Sequence, residues 1–344
     1  MKARKVKPGK GYQSEPSRRE LLRAAAAAVA VWTGAPLRHG VVEACPRQPV
    51  SRPPATSPWW LGKYRPCSRV VQVRSPGVLG DAAVNPSVLS DMLSAGVQVL
   101  TGRDSTGDGW RSVLGNAERI VIKFNRVGGG VLATTDALAR ELVGALEKSG
   151  YTRDRIALVE APPQLARELG TREPAGGWGS SIIVGGRPEE LAAYLLEADA
   201  LINVPFLKTH RVAGMSGALK NLSHAVIRHP GRYHDGGCAP YVGEVIGQEE
   251  VSSRIRLTIV DALRLMVRNG PESSTRDVIG HCELLFGFDP VAIDSVGLQT
   301  LLHKRLELGI EDRIAVPYLD AAGAAGVGRR EAHLIDRVVV AMDS

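Results

Sequence analysis

The 344-residue chain lacks any apolar run approaching the roughly 18 consecutive residues a membrane-spanning helix needs. It has only four cysteines, Cys45, Cys67, Cys238 and Cys282, spaced so widely that no CxxC pair exists. This leaves no sequence basis for a zinc ribbon, and no ferredoxin-type iron–sulfur cluster is expected. The glycines of "VGGGVLATT" (127–135) do not fall at GxGxxG spacing, and no phosphate-gripping Lys-Ser/Thr follows them. Ser216 lacks the GxSxG elbow of a nucleophilic serine. There is no internal repeat. The body of the chain also lacks a charge excess. Of the 43 basic and 36 acidic residues, nine basic and three acidic ones lie in residues 1–44, leaving 34 against 33 elsewhere. A duplex-binding protein carries its positive footprint on the folded domain, so no nucleic-acid partner is expected.

What is present begins with an end that reads as an export signal. "SRRELLR" (17–23) precedes "AAAAAVAVWTGA" (24–35), a charged segment followed by a short apolar one. The Arg18-Arg19 pair with Leu21-Leu22 resembles a twin-arginine signal, with Leu21 where that pattern prefers Phe. The resemblance implies the twin-arginine export machinery as a partner, a periplasmic or extracytoplasmic location, and no transmembrane span in the mature chain. "VEAC" (42–45) faintly resembles a lipoprotein processing site at Cys45, with Glu43 a poor fit. Residues 1–44 are therefore expected to be the signal peptide, 45–68 a Pro-rich linker, and 69–344 the folded domain. If exported, its cysteines lie in a disulfide-permissive space.

Across the domain, apolar strand patterns alternate with helical ones. Strands are expected at 69–73, 119–125, 155–161, 199–206, 256–263 and 336–343. Helices are expected at 86–100, 134–150, 187–198 and 289–306, with Asp289 a plausible N-cap. The rhythm predicts an α/β fold: a mainly parallel sheet in a three-layer sandwich, as one large domain or two closely packed α/β lobes. With 44% hydrophobic residues the chain can bury a sizeable core.

The densest chemistry lies in "LKTHRVAGMSGALKNLSHAVIRHPGRYH" (207–234), which holds four histidines, two lysines and three glycines. Ser216 is placed to cap a helix from about Gly217 to Ile227, on which Lys220 and His224 share a face. Parallel sheets gather ligands at their carboxyl edges. That edge is expected to collect Lys123 and Asn125 after one strand, Lys208 and His210 after another, and Asp261 at the end of a third. The lysines make the rim electropositive, suited to a small anionic ligand. The assignment is His210, Lys220 and Lys208 as catalytic residues; Lys123, Asn125, Ser216, Gly217, Asn221 and Asp261 as cofactor-binding; and His234 and His224 as metal ligands. Each of these groups also has an ordinary structural role open to it, as a solvated lysine, a capping residue or a satisfied histidine. Asp294, amid apolar residues, is expected to find a buried partner, and Glu160 is a lone candidate base. The cofactor is unknown: a divalent metal or an anionic cofactor.

These residues carry a family resemblance. "VIKFN" (121–125), "ADALINVPFLKTH" (198–210), "GMSGALKNL" (214–222), "RYH" (232–234), "IVDAL" (259–263) and "FGFDPVAIDSVG" (286–297) resemble the blocks of domain of unknown function 362, over roughly residues 69–330. That family has no established general activity. The segment from His210 through "GMSGALK" to His234 is also distantly similar to the nickel-pincer lactate racemases. That likeness implies Lys220 as a covalent anchor, His234 as a nickel ligand and His210 as a proton shuttle. Ala218 departs from that pattern, and no histidine lies between His39 and His210. The implied function is an exported enzyme or cofactor-binding protein with a basic Lys/His cleft. The alternatives are a non-catalytic periplasmic binding or scaffold protein, and a racemase-like, isomerase-like or redox enzyme.

Overall fold

The computed structural model describes residues 58–62, 66–80 and 83–342. The expectations for Arg18-Arg19, for Cys45 and for most of the linker lie outside these residues. The strands are β1 (Ser68–Arg74), β2 (Ile120–Lys123), β3 (Ile156–Val159), β4 (Trp178–Val184), β5 (Arg187–Ala192), β6 (Ala200–Asn203), β7 (Phe206–His210), β8 (Gly214–Ser216), β9 (Ile255–Met266), β10 (Val278–Gly287) and β11 (Ile335–Ala341). The helices are α1 (Pro86–Thr101), α2 (Thr106–Leu114), α3 (Gly129–Leu132), α4 (Thr135–Lys148), α5 (Pro163–Leu169), α6 (Ala193–Glu197), α7 (Ala218–Ser223), α8 (Tyr241–Gly247), α9 (Glu249–Ser252), α10 (Pro290–Glu307) and α11 (Pro317–Ala324).

The main sheet runs β11-β1-β10-β9-β6-β2-β3, with β7 beside β9 and β8 beside β7. It is mostly parallel; only β10 and β8 oppose their neighbours. Alternate residues of each strand feed two cores. On β6, Leu201 joins one and Ala200 and Ile202 the other. Helices α1, α2, α4 and α5 cover one face, and α6, α7, α8, α10 and α11 the other, so the expected three layers are present. Local signals place several helices. Asn85 caps α1 and Asp289 caps α10, each just ahead of a proline suited to a first helical turn.

Three local expectations are corrected. Residues 187–198 are not one helix: Arg187–Ala192 is strand β5, and only Ala193–Glu197 coils. Gly185 and Gly186 both take positive φ, 56° and 72°, and close a hairpin with β4, whose pairing overrides the helical propensity of "EELAAYLLE". The strand expected at 199–206 breaks at Val204-Pro205, and "FLKTH" forms β7 rather than a loop. Twelve-residue β9 accepts both pieces, pairing with β6 near its start and β7 near its end. Within residues 45–68, Trp60 is buried and donates its indole N–H to Val327 O at 2.8 Å, so the stretch docks on the domain there.

Candidate functional site

Two adjacent parallel strands, β2 and β6, send the chain in opposite directions. From β2 it passes through α4 to β3, and from β6 through β7, β8 and α7 to β9 on the other side. Such a divergence opens a crevice at the carboxyl ends of the strands. Lys123 and Asn203 are paired in register at those ends, and both face α7. The Lys123 ammonium donates to Asn221 Oδ1 at 2.9 Å and to Phe124 O at 2.7 Å, and sits 3.2 Å from Glu160 Oε2. Asn221 Nδ2 donates to Asn203 Oδ1 at 2.8 Å, and Asn203 Nδ2 to Ala218 O at 3.0 Å. All three donors of the ammonium are thereby used. Burial pulls the Lys123 pKa down to about 8, with Glu160 pushing back. Lys123, Asn203 and Asn221 thus anchor α7.

The other end of that anchor is Asp294. Its carboxylate accepts the amides of Ala218 at 2.6 Å and Leu219 at 3.0 Å, so α7 is capped from α10 and not by Ser216, as the sequence had led us to expect. A Cβ on Gly217 would stand 2.2 Å from Asp294 Oδ1, which makes glycine a packing requirement there. Helix α7 is also shorter than expected, ending at Ser223. Lys208 is equally committed: its buried ammonium donates to Val127 O and to Asn125 Oδ1, the latter at 3.3 Å. Burial lowers its pKa to about 7.

Lys220 differs from both. It is buried, yet among the described residues its amine has no hydrogen-bond partner. Burial lowers its pKa to about 8. Around it stand His210, His224, His234 and Cys238. The His224 and His234 rings meet edge-on with centroids 4.6 Å apart, and His210 stacks on His234 at 6.4 Å. Potential ligand atoms of His224, His234 and Cys238 all lie within 4.8 Å of one another. Burial, with Lys220 close by, depresses His210 to about 4, His224 to about 3, and His234 below its ordinary value. The imidazoles are therefore neutral, the form that ligates metals.

Two devices assemble this group. Gly236, Gly237 and Cys238 all take positive φ, so the chain coils back and the Cys238 amide reaches His234 O at 3.3 Å. The turn before it is clamped by Glu189 on β5. The Glu189 carboxylate accepts from the Tyr233 hydroxyl at 2.8 Å, from the Arg232 guanidinium at 2.8 Å, and from the His229 amide at 3.2 Å. Its ring contact uses His229 at the clamp and not among the candidate ligands. A cleft of 840 Å³ passes the group, with His210 and Gly237 in its lining.

Residues 185–299 match the domain of unknown function DUF362. The DUF362 segment contains every member of the Lys220 group, along with Asp294, but not Lys123 or Asn125. No curated protein matches the chain. Among solved structures, a protein from Thermotoga maritima is similar at 14% identity and TM-score 0.36, covering 67% of this chain and 59% of its own. The lactate racemase apoprotein from Thermoanaerobacterium thermosaccharolyticum is similar at 9% identity and TM-score 0.36, covering 67% of this chain and 56% of its own. The chain thus spans under two thirds of either neighbour's length.

Set against the sequence reading, the structure gathers His210, Lys220, His224 and His234 into one group and sends the others elsewhere. Lys123, Asn221 and Gly217 hold α7, and Lys208 and Asn125 tie the loop after β2 to β7. Asp261 leaves the rim. It lies within β9, in step with Ile259 and Leu263, whose side chains enter the opposite core from α7. It accepts from the Thr134 hydroxyl at 2.5 Å and from the Leu263 amide at 3.1 Å. Sequence reasoning missed Cys238, Asn203 and Glu189. The "HDGGC" spacing, a histidine and a cysteine joined by Asp235 and two glycines, was the available signal for Cys238.

Proposed function

We propose that this protein binds a transition-metal ion through His224, His234 and Cys238 and presents Lys220 beside it to an anionic ligand, as a metal-dependent enzyme or cofactor-binding protein. The supporting observation is the convergence of two neutral imidazoles and a thiol next to a lysine amine that no group among the described residues hydrogen-bonds. Two nitrogens and one sulfur suit a borderline metal of the zinc, cobalt or nickel class better than magnesium or calcium. A tetrahedral ion would draw such donors to roughly 3.3–3.7 Å apart, a contraction of up to about 1 Å from their present spacing. His224 must yield something to serve. Its Nε2 lies 3.1 Å from Tyr233 O and its Nδ1 3.0 Å from the Ser223 hydroxyl. The carbonyl bond keeps the proton on Nε2, so the lone pair sits on Nδ1 and the hydroxyl must turn aside.

The test is titration of purified protein with Co²⁺. The expected result is one ion per chain, with a thiolate-to-cobalt charge-transfer band that disappears in Cys238→Ser, and affinity at least tenfold weaker in His234→Ala. Stoichiometric binding that survives both substitutions would overturn the assignment. We further propose that the chain acts outside the cytoplasm, on the strength of Arg18-Arg19 and the apolar run behind it. Retention of an Arg18→Lys/Arg19→Lys variant in the cytoplasm tests this, and unchanged export refutes it.

A further inference from the structure

A second cavity, of 570 Å³, opens at the carboxyl ends of β2 and β3, and none of the Lys220 group lines it. Its wall includes two polar side chains that are each only 8% exposed, Asn125 and Thr135. Asn125 Oδ1 accepts from Lys208, which fixes the amide's orientation and leaves Nδ2 without a partner among the described residues. The Thr135 hydroxyl has none either. Neither polar atom is sealed from solvent, so both open onto the cavity, where a ligand can meet them with little loss of their own solvation.

The same cavity receives the start of α4, a 14-residue helix. Thr134, at its N-cap, has no capping bond because its hydroxyl is taken by Asp261. The first turn therefore has no side-chain cap, and its Thr135 and Asp136 line the cavity at the end of the helix that favours negative charge. Beside them are an exposed cation and an exposed anion, Arg126 and Asp136, neither of which forms an ion pair among the described residues. A further carboxylate, Glu160, is engaged by Lys123 and by the Arg126 amide at 2.9 Å. Ala133, Ala161, Pro162 and Pro163 supply apolar wall.

We propose that this cavity binds a small zwitterion of the amino-acid type. The carboxylate lies toward Asn125 Nδ2, the Thr135 hydroxyl, the open end of α4 and Arg126, and the ammonium toward Asp136 and Glu160. A dianion would meet both carboxylates, a simple cation would leave the helix end and Arg126 unanswered, and an apolar ligand would strand two buried polar groups. The site is independent of the metal assignment.

The test titrates the full-length protein with L-alanine, with acetate as its anionic half and methylamine as its cationic half, by calorimetry. L-alanine is expected to bind saturably at one site, more tightly than either half. Thr135→Val and Arg126→Ala should each weaken it about tenfold, a change equivalent to one hydrogen bond or charge contact. Co²⁺ binding by both variants should stay at the parent level, which separates this site from the Lys220 group. No saturable binding of L-alanine, equal affinity for acetate, or parental affinity in both variants would overturn the proposal.

Discussion

Asp294 caps a helix to which it does not belong: from α10, its carboxylate takes the Ala218 amide at 2.6 Å and the Leu219 amide at 3.0 Å. The contact is buried on both sides, so the position of α7, and with it Lys220, depends on one side chain reached across the fold. Removing it as Asp294→Ala should cost about 2–4 kcal/mol, because two buried donors lose their acceptor. Chemical denaturation measures the loss, and a change under 1 kcal/mol would show that α7 is held by other means.

The same carboxyl has its pKa raised to about 7 by burial, against the two amides that favour its charged form. A raised folded-state pKa means that its stabilising contribution is complete below the unfolded value, roughly 3.9, and is lost as pH rises through about 7. Other groups titrate in the same range, so the comparison is between parent and Asp294→Asn. The parent should lose stability relative to the variant between about pH 4 and pH 7. Parallel pH profiles would contradict the expected ionisation.

Gly217→Ala should be severe for a helix-terminal position, about 3 kcal/mol or more, since the new Cβ would stand 2.2 Å from Asp294 Oδ1. In combination with Asp294→Ala the cost should fall below the sum of the two. Additive losses in this double-mutant cycle would mean that the two residues do not share the contact.

Lys123 works in the opposite sense to Asp294. Its folded pKa, near 8, lies below that of a free lysine, so the unfolded chain binds the extra proton between about pH 8 and pH 10.5 and stability rises with pH across that window. Lys123→Met should make this rise shallower, since Lys208 and Lys220 contribute to it as well, and leave Asn221 without its donor. A variant that keeps the parental slope would show that Lys123 is not the group responsible.

Glu189→Gln should loosen the turn that carries His234. A neutral amide cannot serve the Tyr233 hydroxyl, the Arg232 guanidinium and the His229 amide together, and because Arg232 and His229 are half exposed the loss should be about 1–2 kcal/mol. Co²⁺ affinity should fall with it although Glu189 is not among the candidate ligands. Full metal affinity in a destabilised variant would confine Glu189 to a structural role.

Much of the fold was legible because its signals are local. Pro86 and Asp289-Pro290 mark helix starts, because cap and first-turn partners lie two or three residues apart, and the apolar runs of β1, β2, β3 and β9 mark strands by composition, although their pairing partners are distant. The four members of the site that the sequence named, His210, Lys220, His224 and His234, were legible through density of functional groups alone. The hairpin of β4 and β5 was not, because "EELAAYLLE" coils well in isolation and extends only when paired. Nor was the difference among the three lysines. Lys123, Lys208 and Lys220 look alike in sequence, and only the positions of Asn221, Glu160, Asn125 and Val127 decide which amines are spent.

By itself, then, the sequence determined the layered α/β architecture, the near-neutral body and the stretch that supplies most of the candidate site. Those properties follow from periodicity and composition, which neighbouring residues settle among themselves. The tertiary structure decided that Asp294 caps α7, that Asp261 faces the far core, that Cys238 joins two histidines, and that Lys220 alone of the three lysines has an amine without a hydrogen-bond partner among the described residues. Each of these depends on a partner brought from a distant part of the chain, and the desolvation that shifts these groups exists only once the layers have closed around them.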